Sequence, residues 1–361
     1  MSRITGWITA AAVGGLLVAG RCLAQEAPAT PAKRLSDSEL VAALEAHVKE
    51  RVAADEFSGV VLLAKNGKPL FRQAYGMAEL SFQVPNRPDT KFNIGSISKL
   101  FTRLVIDQLA EQGKLALDDT VGKHLPDYPS AEVREKVTIR HLLEHRSGLG
   151  DIFTPKFRQG AKEGIRAVRD FLPLFVDDPL EFEPGTDEQY SNAGYIVLGA
   201  ILEAVTGKDY YDIVRERVFE PAGMTNTGSW ERDLPIANRA VGYTRRMPLG
   251  SEVAGGLRST QFLDFYKGSP AGGAFSTVDD LLRLDASLRS GKLFKDGRKT
   301  GGFALAGGVP GANAALEQLP GGYTLVVLAN YDPPAAVEIG GKVREWLGLG
   351  GERKGMKRVI Q

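Results

Sequence analysis

A serine and a lysine lie one helical turn apart at the predicted start of a helix. Ser96 and Lys99 form the one Ser-x-x-Lys sequence in the chain, inside the segment Gly-Ser-Ile-Ser-Lys at 95–99. Residues i and i+3 share a helix face, so the lysine amine can lie against the serine hydroxyl and take its proton. Burial or a neighbouring charge would lower the lysine pKa for that role, and the helix N-terminus would stabilise an oxyanion. Taken alone, the segment also fits a helix cap followed by a solvated lysine.

A tyrosine and an asparagine form a second candidate pair. Tyr190 and Asn192 belong to the one Tyr-x-Asn sequence, which follows a Pro-Gly-Thr turn and precedes an apolar helix. A phenol beside an ammonium can ionise below its usual pKa and relay protons. The amide two residues later can hold the lysine and a substrate amide. A loop tyrosine followed by an asparagine cap is the structural alternative.

Two histidines suggest a different chemistry, that of a metal site. His141, Glu144 and His145 fit the His-x-x-Glu-His spacing of an inverted zinc-protease signature. On one continuous helix the two imidazoles could bind zinc while the glutamate acts as the base. No histidine follows His145 in the sequence, so a third ligand would have to be a carboxylate. We expect no metal, with the two leucines between the histidines facing the core.

The composition narrows the classes of function. The chain has 361 residues, with 45 Lys and Arg against 44 Asp and Glu, and 43% of its residues are apolar. Such an apolar fraction is typical of a globular protein. A net charge of +1 provides no basic surface for nucleic acid, so no nucleic-acid partner is expected.

The N-terminus has the pattern of an export signal. Arg3 precedes an uncharged, apolar stretch over 4–20, and Cys22 and Ala24 place small residues before a cleavage position at Gln25. Cleavage would remove the only cysteine, so the chemistry must come from Ser, Lys, Tyr, His or carboxylates. We expect a periplasmic or secreted protein without a stable membrane span in its mature form. A retained anchor is the alternative, although the stretch is short for a span.

The elements that must position these residues are strands near both chain ends and helices between them. Strands are predicted over 57–65, 70–80, 311–318 and 322–329, the first two joined at Asn66-Gly67. Helices are predicted over 37–54, 96–112, 138–145, 163–175, 193–206, 209–218, 277–290 and 334–347. We therefore expect an α/β (α+β) fold: one antiparallel sheet flanked by helices, with a mainly helical second lobe and the site in the groove between lobes.

Together these motifs resemble the serine β-lactamase, penicillin-binding protein and esterase superfamily, in its class C-like branch. Ser-Ile-Ser-Lys at 96–99 and Tyr-Ser-Asn at 190–192 are similar to the first two motifs of that superfamily. Other segments that look typical of it are 92–102, 138–143, 147–149, 184–202, 221–225 and 269–282. The resemblance extends over residues 38–348.

The resemblance implies a β-lactamase-like fold and an acyl-enzyme mechanism that needs neither cofactor nor metal. It implies that Ser96 attacks a carbonyl while Lys99 and Tyr190 move the proton. Tyr190 would then protonate the leaving group and help to activate the deacylating water. Asn192 would orient the lysine and the substrate.

The resemblance also implies how the chain is organised. The hydrolase domain would occupy 37–348, preceded by the signal peptide and a flexible lead-in and followed by a polar tail. The expected segments are the signal peptide 1–24, the lead-in 25–36, a sheet lobe at 37–112 and 268–348, a helical lobe at 113–267 and the tail 349–361.

The third motif of the superfamily, a strand carrying Lys-Thr-Gly or a related triad, is altered here. The segment Gly-Gly-Val-Pro-Gly-Ala-Asn at 307–313 resembles the downstream landmark and puts Leu305 in the place of the cation. A literal Lys-Thr-Gly begins six residues earlier, at Lys299, and both cannot occupy the site. We favour the Leu305 register, in which the N–H of Gly308 is the second oxyanion donor beside that of Ser96.

The altered motif bears on the substrate. Enzymes of the superfamily that prefer penicillins or D-Ala-D-Ala peptides place a cation on this strand, so Leu305 favours a carboxylesterase or a weak amidase. Lys299 in that place would restore β-lactamase or D-alanyl carboxypeptidase chemistry. The expected partners are small ester, β-lactam or peptidoglycan-peptide substrates. Because only 12 residues separate Lys292 from Leu305, a catalytically impaired peptidoglycan-binding homologue is a further alternative.

Four aromatic residues could line an acyl pocket or anchor the core: Trp230, Phe262, Phe265 and Tyr266.

Overall fold

The computed structural model describes residues 34–160, 164–246, 256–261 and 266–349. The predicted signal peptide, the lead-in before residue 34 and the tail from residue 350 lie outside the described residues. Those assignments, and the division into two lobes, stay predictions. Phe262 and Phe265 also lie outside the described residues.

The described elements follow the predicted order of strands, helices and strands. The strands are β1 Gly59–Lys65, β2 Lys68–Tyr75, β3 Met77–Glu79, β4 Val84–Pro85, β5 Phe92–Asn93, β6 Tyr243–Thr244, β7 Arg258–Ser259, β8 Phe275–Ser276, β9 Ala304–Val309, β10 Ala312–Leu319 and β11 Tyr323–Ala329. The α-helices are α1 Asp37–Ala53, α2 Lys99–Glu111, α3 Val121–His124, α4 Ala131–Lys136, α5 Ile139–Leu143, α6 Pro155–Gln159, α7 Val168–Phe171, α8 Asn192–Thr206, α9 Tyr210–Val214, α10 Glu220–Ala222, α11 Val278–Ser290 and α12 Ala335–Trp346.

A five-stranded antiparallel sheet joins the early and late parts of the chain. Its strand order is β2-β1-β11-β10-β9, and Gly59 of β1 lies opposite Ala329 of β11. The strands β1, β10 and β11 are buried almost throughout, because helices cover both faces of the sheet. The predicted fold class, an antiparallel sheet flanked by helices, is confirmed.

Two tight turns set the register of the hairpins in this sheet. Asn66 and Gly67 both have positive φ angles, 52° and 75°, between β1 and β2. Gly321 and Gly322 also have positive φ angles, 83° and 80°, in the turn between β10 and β11. Asparagine and glycine tolerate this left-handed backbone best, and it matches the twist of the paired strands.

One face of the sheet is covered by α1 and α12. Helix α1 begins at a capping box, in which Ser36 accepts from the Glu39 N–H and the Glu39 carboxylate accepts from the Ser36 N–H. Its residues Leu40, Leu44 and Val48 recur at four-residue spacing and are fully buried in the core on this face. This core lies across the sheet from the predicted nucleophile.

The other face of the sheet lies in a larger core, in which α11 packs on β1 and β11 and α2 packs against α8. Leu62 of β1, Val105 of α2, Ile196 of α8 and Leu281 of α11 are all fully buried in it. Burying apolar surface, at about 25 cal/mol per Å², is what holds this core together. The predicted nucleophile, Ser96, lies at the start of α2 and therefore on this side.

Several helices are shorter or less regular than their apolar patterns predict. The helix expected over 163–175 is described as α7 followed by a 3₁₀ turn at Leu172–Leu174, where Pro173 has no N–H to donate. The helix expected over 209–218 passes into a π turn at Arg215–Phe219. Within the described residues, each helix is too short or too polar to cross a bilayer.

Candidate active site

The serine of the Ser-x-x-Lys motif lies on a 3₁₀ turn that leads directly into α2. This turn spans Gly95–Ser98 and is followed by Lys99 as the first residue of α2. The Oγ of Ser96 lies 2.6 Å from the phenol oxygen of Tyr190 and 3.3 Å from the Nζ of Lys99. The structure therefore brings three of the predicted residues within hydrogen-bonding distance of one another.

Lys99 is completely buried, and its amine is surrounded by oxygen atoms. Its Nζ lies 2.6 Å from the Tyr190 hydroxyl, 2.7 Å from Oδ1 of Asn192 and 2.5 Å from the carbonyl oxygen of Ala271. Burial lowers the pKa of Lys99 from its ordinary value to about 7. A substantial fraction of the lysine is consequently neutral at physiological pH.

The two carbonyl oxygens decide where the lone pair of a neutral Lys99 lies. Ala271 O and Asn192 Oδ1 can only accept hydrogen bonds, so they take both N–H groups of the neutral amine. The lone pair is then left for the hydroxyl of Tyr190. This arrangement suits a proton acceptor that works through the tyrosine.

Tyr190 does not ionise readily, contrary to the expectation for a phenol beside an ammonium. Burial raises its pKa to about 12, even though the hydrogen bond with Ser96 acts in the opposite direction. The phenol thus keeps its proton at neutral pH. Tyr190 can pass a proton from Ser96 to Lys99 as a relay, while Lys99 is the group that holds it.

The backbone of β9 runs against the nucleophile turn. A Cβ added to Gly95, whose φ is 50°, would lie 2.7 Å from the nitrogen of Gly308, and a Cβ on Gly307 would lie 2.0 Å from the carbonyl oxygen of Ile94. Only glycines permit backbones to approach this closely. Ser96 and Gly308 both line the cavity in front of the turn, as the predicted pair of oxyanion donors requires.

Neither candidate for the third motif places a cation in this cavity. Leu305 is fully buried in the core, opposite Leu316 of β10, and the residues after it on β9 line the cavity instead. Lys299 is exposed in the segment between α11 and β9. The β9 register thus follows the Leu305 alternative, and Leu305 packs in the core without lining the cavity.

The cavity has a volume of about 860 Å³ and a mainly apolar lining. The larger apolar and aromatic side chains along it include Ile152, Phe153, Trp230, Ile236, Tyr266 and Phe275. Trp230 and Tyr266 are thus on the cavity wall, as the acyl-pocket alternative requires. Among the described residues the basic groups lining it are Arg232 and Arg239, and Arg239 donates to the backbone carbonyls of Glu231 and Arg232.

The two histidines of the zinc-protease spacing have separate surroundings. Helix α5 ends at Leu143, and His145 has a φ of 57°, so His141 and His145 do not share a continuous helix face. The Nδ1 of His141 accepts from the Thr138 N–H, and that of His145 accepts from the Ser191 N–H. The described residues contain no group of three His, Cys, Asp or Glu side chains that could hold a metal ion.

His145 instead supports the loop that carries Tyr190 and Ser191 before α8, here called the tyrosine loop. The sequence did not reveal this role. Its ring lies 4.7 Å from the ring of Tyr190, between centroids, and 5.4 Å from that of Tyr195. Burial lowers the pKa of His145 to about 4, so the ring is neutral at physiological pH. The only sequence signal was its position just before Ser-Gly-Leu at 147–149.

Comparison with known proteins shows the family to which the chain belongs. A family model described as Beta-lactamase matches residues 44–353. The chain belongs to the β-lactamase family. Members of this family are serine hydrolases, and the Ser96–Lys99–Tyr190 cluster lies within the matched range. The predicted membership of this superfamily is confirmed.

Relatives in the family include penicillin-binding proteins of bacilli. The chain is 32% identical over 256 residues to penicillin-binding protein 4* of Bacillus subtilis strain 168, an alignment that covers 69% of this chain and 56% of that protein. It is 29% identical over 241 residues to the putative penicillin-binding protein PbpX of the same strain, covering 66% of this chain and 56% of that protein. The alignments thus span little more than half the length of these curated relatives.

Solved structures of the family superpose over most of the chain. A penicillin-binding protein from Bacillus halodurans matches with a TM-score of 0.72 and 28% identity, covering 82% of this chain and 98% of that one. The hydrolase EstCE1 matches with a TM-score of 0.69 and 25% identity, covering 86% and 99%. A D-amino acid amidase from Ochrobactrum anthropi, with a TM-score of 0.69, 22% identity and coverage of 86% and 98%, shares the fold.

Proposed function

We propose that this protein hydrolyses small esters and neutral amides through an acyl-enzyme on Ser96. The hydrogen-bonded chain from Ser96 Oγ through Tyr190 to a lysine with a pKa near 7 carries the proposal. A buried neutral amine, connected to the nucleophile by a protonated phenol, is the activating base that a serine hydroxyl needs. No cofactor or metal is required for this chemistry.

The acylation step follows from these contacts. As Ser96 Oγ attacks the substrate carbonyl, its proton passes to the Tyr190 oxygen while the phenol proton passes to Lys99. The resulting oxyanion is stabilised by the N–H groups of Ser96 and Gly308. Collapse breaks the bond to the leaving group, which takes a proton back through Tyr190 from the Lys99 ammonium. The acyl group is left on Ser96.

Deacylation repeats the same proton path with water as the nucleophile. Water loses a proton through Tyr190 to Lys99 as its oxygen attacks the acyl carbonyl. Collapse then releases the carboxylic acid and returns the proton to Ser96. Both proton transfers use the same 2.6 Å contacts of Tyr190, which makes this residue part of both half-reactions.

A neutral, apolar acyl group is the substrate class that fits the cavity. Its wall contains aromatic and aliphatic side chains, and β9 presents Ala306, Gly307 and Gly308 where a charged anchor would bind a carboxylate. The loss of one charge-assisted hydrogen bond costs about 1.5–3 kcal/mol, or roughly 10- to 150-fold in rate. Esters should therefore be turned over better than substrates that depend on a carboxylate. The resemblance to EstCE1, described as a hydrolase with promiscuous acyltransferase activity, supports this assignment.

A second candidate function is peptidase or β-lactam-hydrolysing chemistry. The similarity to penicillin-binding protein 4* and to the Bacillus halodurans penicillin-binding protein favours it. The absence of a cation on β9 disfavours it. A binding homologue without catalysis is disfavoured by the intact contacts among Ser96, Lys99 and Tyr190.

We also propose that the protein is exported and acts in the periplasm or outside the cell. The support is the pattern of Arg3, the apolar stretch over 4–20 and the small residues before Gln25. Expression in a host with a secretory pathway and N-terminal sequencing of the secreted chain would test this. A first residue of Gln25 is expected, and a chain that keeps residues 1–24 would contradict the proposal.

Turnover and covalent labelling test the catalytic proposal directly. The purified protein is incubated with a p-nitrophenyl ester, a chromogenic cephalosporin and a fluorophosphonate probe. We expect ester turnover and labelling that disappear in Ser96→Ala and persist in Ser81→Ala, which alters an exposed serine outside the cavity wall. Faster turnover of the cephalosporin than of the ester would favour the second candidate function. No turnover or labelling that depends on Ser96 would refute hydrolysis.

A further inference from the structure

Asp151 is a charged residue joined to the lysine through Asn192. The Nδ2 of Asn192 donates to both carboxylate oxygens of Asp151, at 3.1 Å and 3.0 Å. The Oδ1 of the same amide lies 2.7 Å from Lys99 Nζ. Because a carboxylate only accepts hydrogen bonds, it determines which end of the Asn192 amide faces the lysine.

Two hydrogen bonds, one to Gly150 and one to the Asp151 carboxylate, hold the loop that carries Asp151. The hydroxyl of Ser191 donates to the carbonyl of Gly150 at 2.7 Å and also accepts from the Gly194 N–H at the start of α8. The Phe153 N–H donates to the Asp151 carboxylate at 3.3 Å. The loop that carries Asp151 is thus tied to the helix start that carries Asn192.

The groups around Lys99 identify Asp151 as its counter-charge. Among the described residues, Lys99 has three other titratable neighbours: Tyr190 from the tyrosine loop, Tyr195 from α8 and His145 from the segment after α5. Burial raises the pKa values of both tyrosines and lowers that of His145, so all three are neutral at pH 7. Burial is the larger effect on the Lys99 pKa, and the Asp151 charge opposes it by raising that pKa.

We propose that Asp151 is a positioning residue for the hydrolysis, acting on Lys99 through Asn192. It orients the Asn192 amide so that Oδ1 accepts from the lysine, and its negative charge stabilises the ammonium formed when the serine proton arrives. The consequence for catalysis rests on the function proposed above. The effect on the protonation of Lys99 does not depend on turnover.

The titration of Lys99 tests the proposal without a substrate. Lysines are labelled with carbon-13 at Cε in the full chain, and the Lys99 resonance is identified by its loss in Lys99→Met. In Asp151→Asn the midpoint should move about one pH unit lower, because an opposite charge that favours the ammonium has been removed. Asp151→Glu, which keeps the charge, should titrate closer to the wild type. Asp127→Asn removes an exposed carboxylate outside the cavity wall and should leave the midpoint unchanged.

Ester kinetics supply the second measurement. In Asp151→Asn, kcat on the pH-independent plateau should fall about 10- to 100-fold, since the lysine loses an oriented acceptor, while KM changes less than about threefold. The acidic limb of the pH profile should move to lower pH together with the carbon-13 midpoint. If Asp151→Asn does not fold, Asp151→Ser removes the same charge with a smaller side chain and should give the same shift.

The outcomes separate this proposal from the proposed function. An unchanged Lys99 midpoint in a folded neutral variant, or a shift to higher pH, would overturn the role of Asp151 even in an active enzyme. A wild-type protein without Ser96-dependent turnover would refute the hydrolase. The carbon-13 titration would then still decide whether Asp151 is the counter-charge of Lys99.

Discussion

At the scale of single residues, the site depends on how burial acts in opposite directions on an amine and a phenol. Desolvation disfavours whichever form is charged, so it lowers the pKa of Lys99 to about 7 and raises that of Tyr190 to about 12. The same burial therefore produces a proton acceptor and a protonated relay next to each other. A solvent-exposed lysine at the same spacing from Ser96 would be charged at neutral pH and could not accept the proton.

The pH dependence of ester hydrolysis follows from these values. Because acylation needs neutral Lys99, kcat/KM should rise as the pH increases through about 7 and then reach a plateau. The plateau should continue above pH 9, since the raised pKa of Tyr190 keeps the relay protonated. The low pKa of His145 excludes it as the origin of a limb near pH 7.

Initial rates from about pH 5 to 9.5, corrected with Ser96→Ala for spontaneous ester hydrolysis, would measure this profile. A rate that is still rising in proportion to hydroxide at pH 9.5, as expected for an ordinary lysine, would contradict the buried neutral amine. A decline in rate well below pH 9 would contradict a phenol that keeps its proton.

At the scale of secondary-structure elements, the contact between β9 and the turn at Gly95–Ser98 brings the two proposed oxyanion donors, Ser96 and Gly308, to the same cavity. The two backbones meet where Gly95 and Gly307 leave no room for side chains. This explains why the strand is glycine-rich at the cavity, whereas Leu305 on the same strand is buried in the core. The positive φ of Gly95 also lets the chain turn sharply from β5 into the 3₁₀ turn.

Gly95→Ala should separate β9 from the nucleophile turn. The added Cβ would meet the Gly308 nitrogen at 2.7 Å on a left-handed backbone, so β9 must move. We expect kcat to fall by about 10²-fold or more, as for the loss of an oxyanion donor. Gly67→Ala is the matched control: its φ is also positive, at 75°, but its Cβ meets nothing within 4 Å.

The control should therefore lose only about 1–2 kcal/mol of unfolding free energy to backbone strain, with kcat unchanged. Ester kinetics and urea denaturation of both variants would check this. Equal losses of kcat in the two would show that strain alone, and not the contact with β9, explains the effect.

At the scale of the whole molecule, the sheet separates the catalytic side from a second core under α1 and α12. That second core contains a buried ion pair, in which Arg344 of α12 lies 2.5 Å from both carboxylate oxygens of Glu317 on β10. Glu317 is fully buried and Arg344 nearly so. The pair connects the last described helix to the sheet on the side away from Ser96.

Glu317→Gln should destabilise the fold without altering catalysis. It leaves the guanidinium of Arg344 buried without its counter-charge, which costs about 3–5 kcal/mol of unfolding free energy. Replacing both partners, Glu317→Leu with Arg344→Met, should recover most of that loss because no buried charge is left unpaired. Urea unfolding and ester kinetics of the three proteins would measure both effects. A lower kcat in a fully folded sample of Glu317→Gln would contradict the prediction that this ion pair, on one face of the sheet, does not affect the site on the other face.

The sequence by itself determined what depends on neighbouring residues. The three-residue spacing of Ser96 and Lys99, the Asn66-Gly67 turn and the alternation of strands and helices all reflect local geometry and composition. Family-typical segments in the right order then identified the superfamily, the fold class and four residues that the structure gathers: Ser96, Lys99, Tyr190 and Asn192.

Tertiary structure decided what depends on distant parts of the chain. Tyr190 lies 94 residues from Ser96, and only packing brings their oxygens to 2.6 Å. Spacing alone could not decide between Lys299 and Leu305, because it does not show where the strand begins. In the structure β9 begins at Ala304, so Leu305 lies on the strand and Lys299 lies before it. Tertiary structure also decided the pKa values of Lys99 and Tyr190 and the hydrogen-bonded link from Asp151 through Asn192. They come from burial and from contacts between separate segments, which local sequence does not encode.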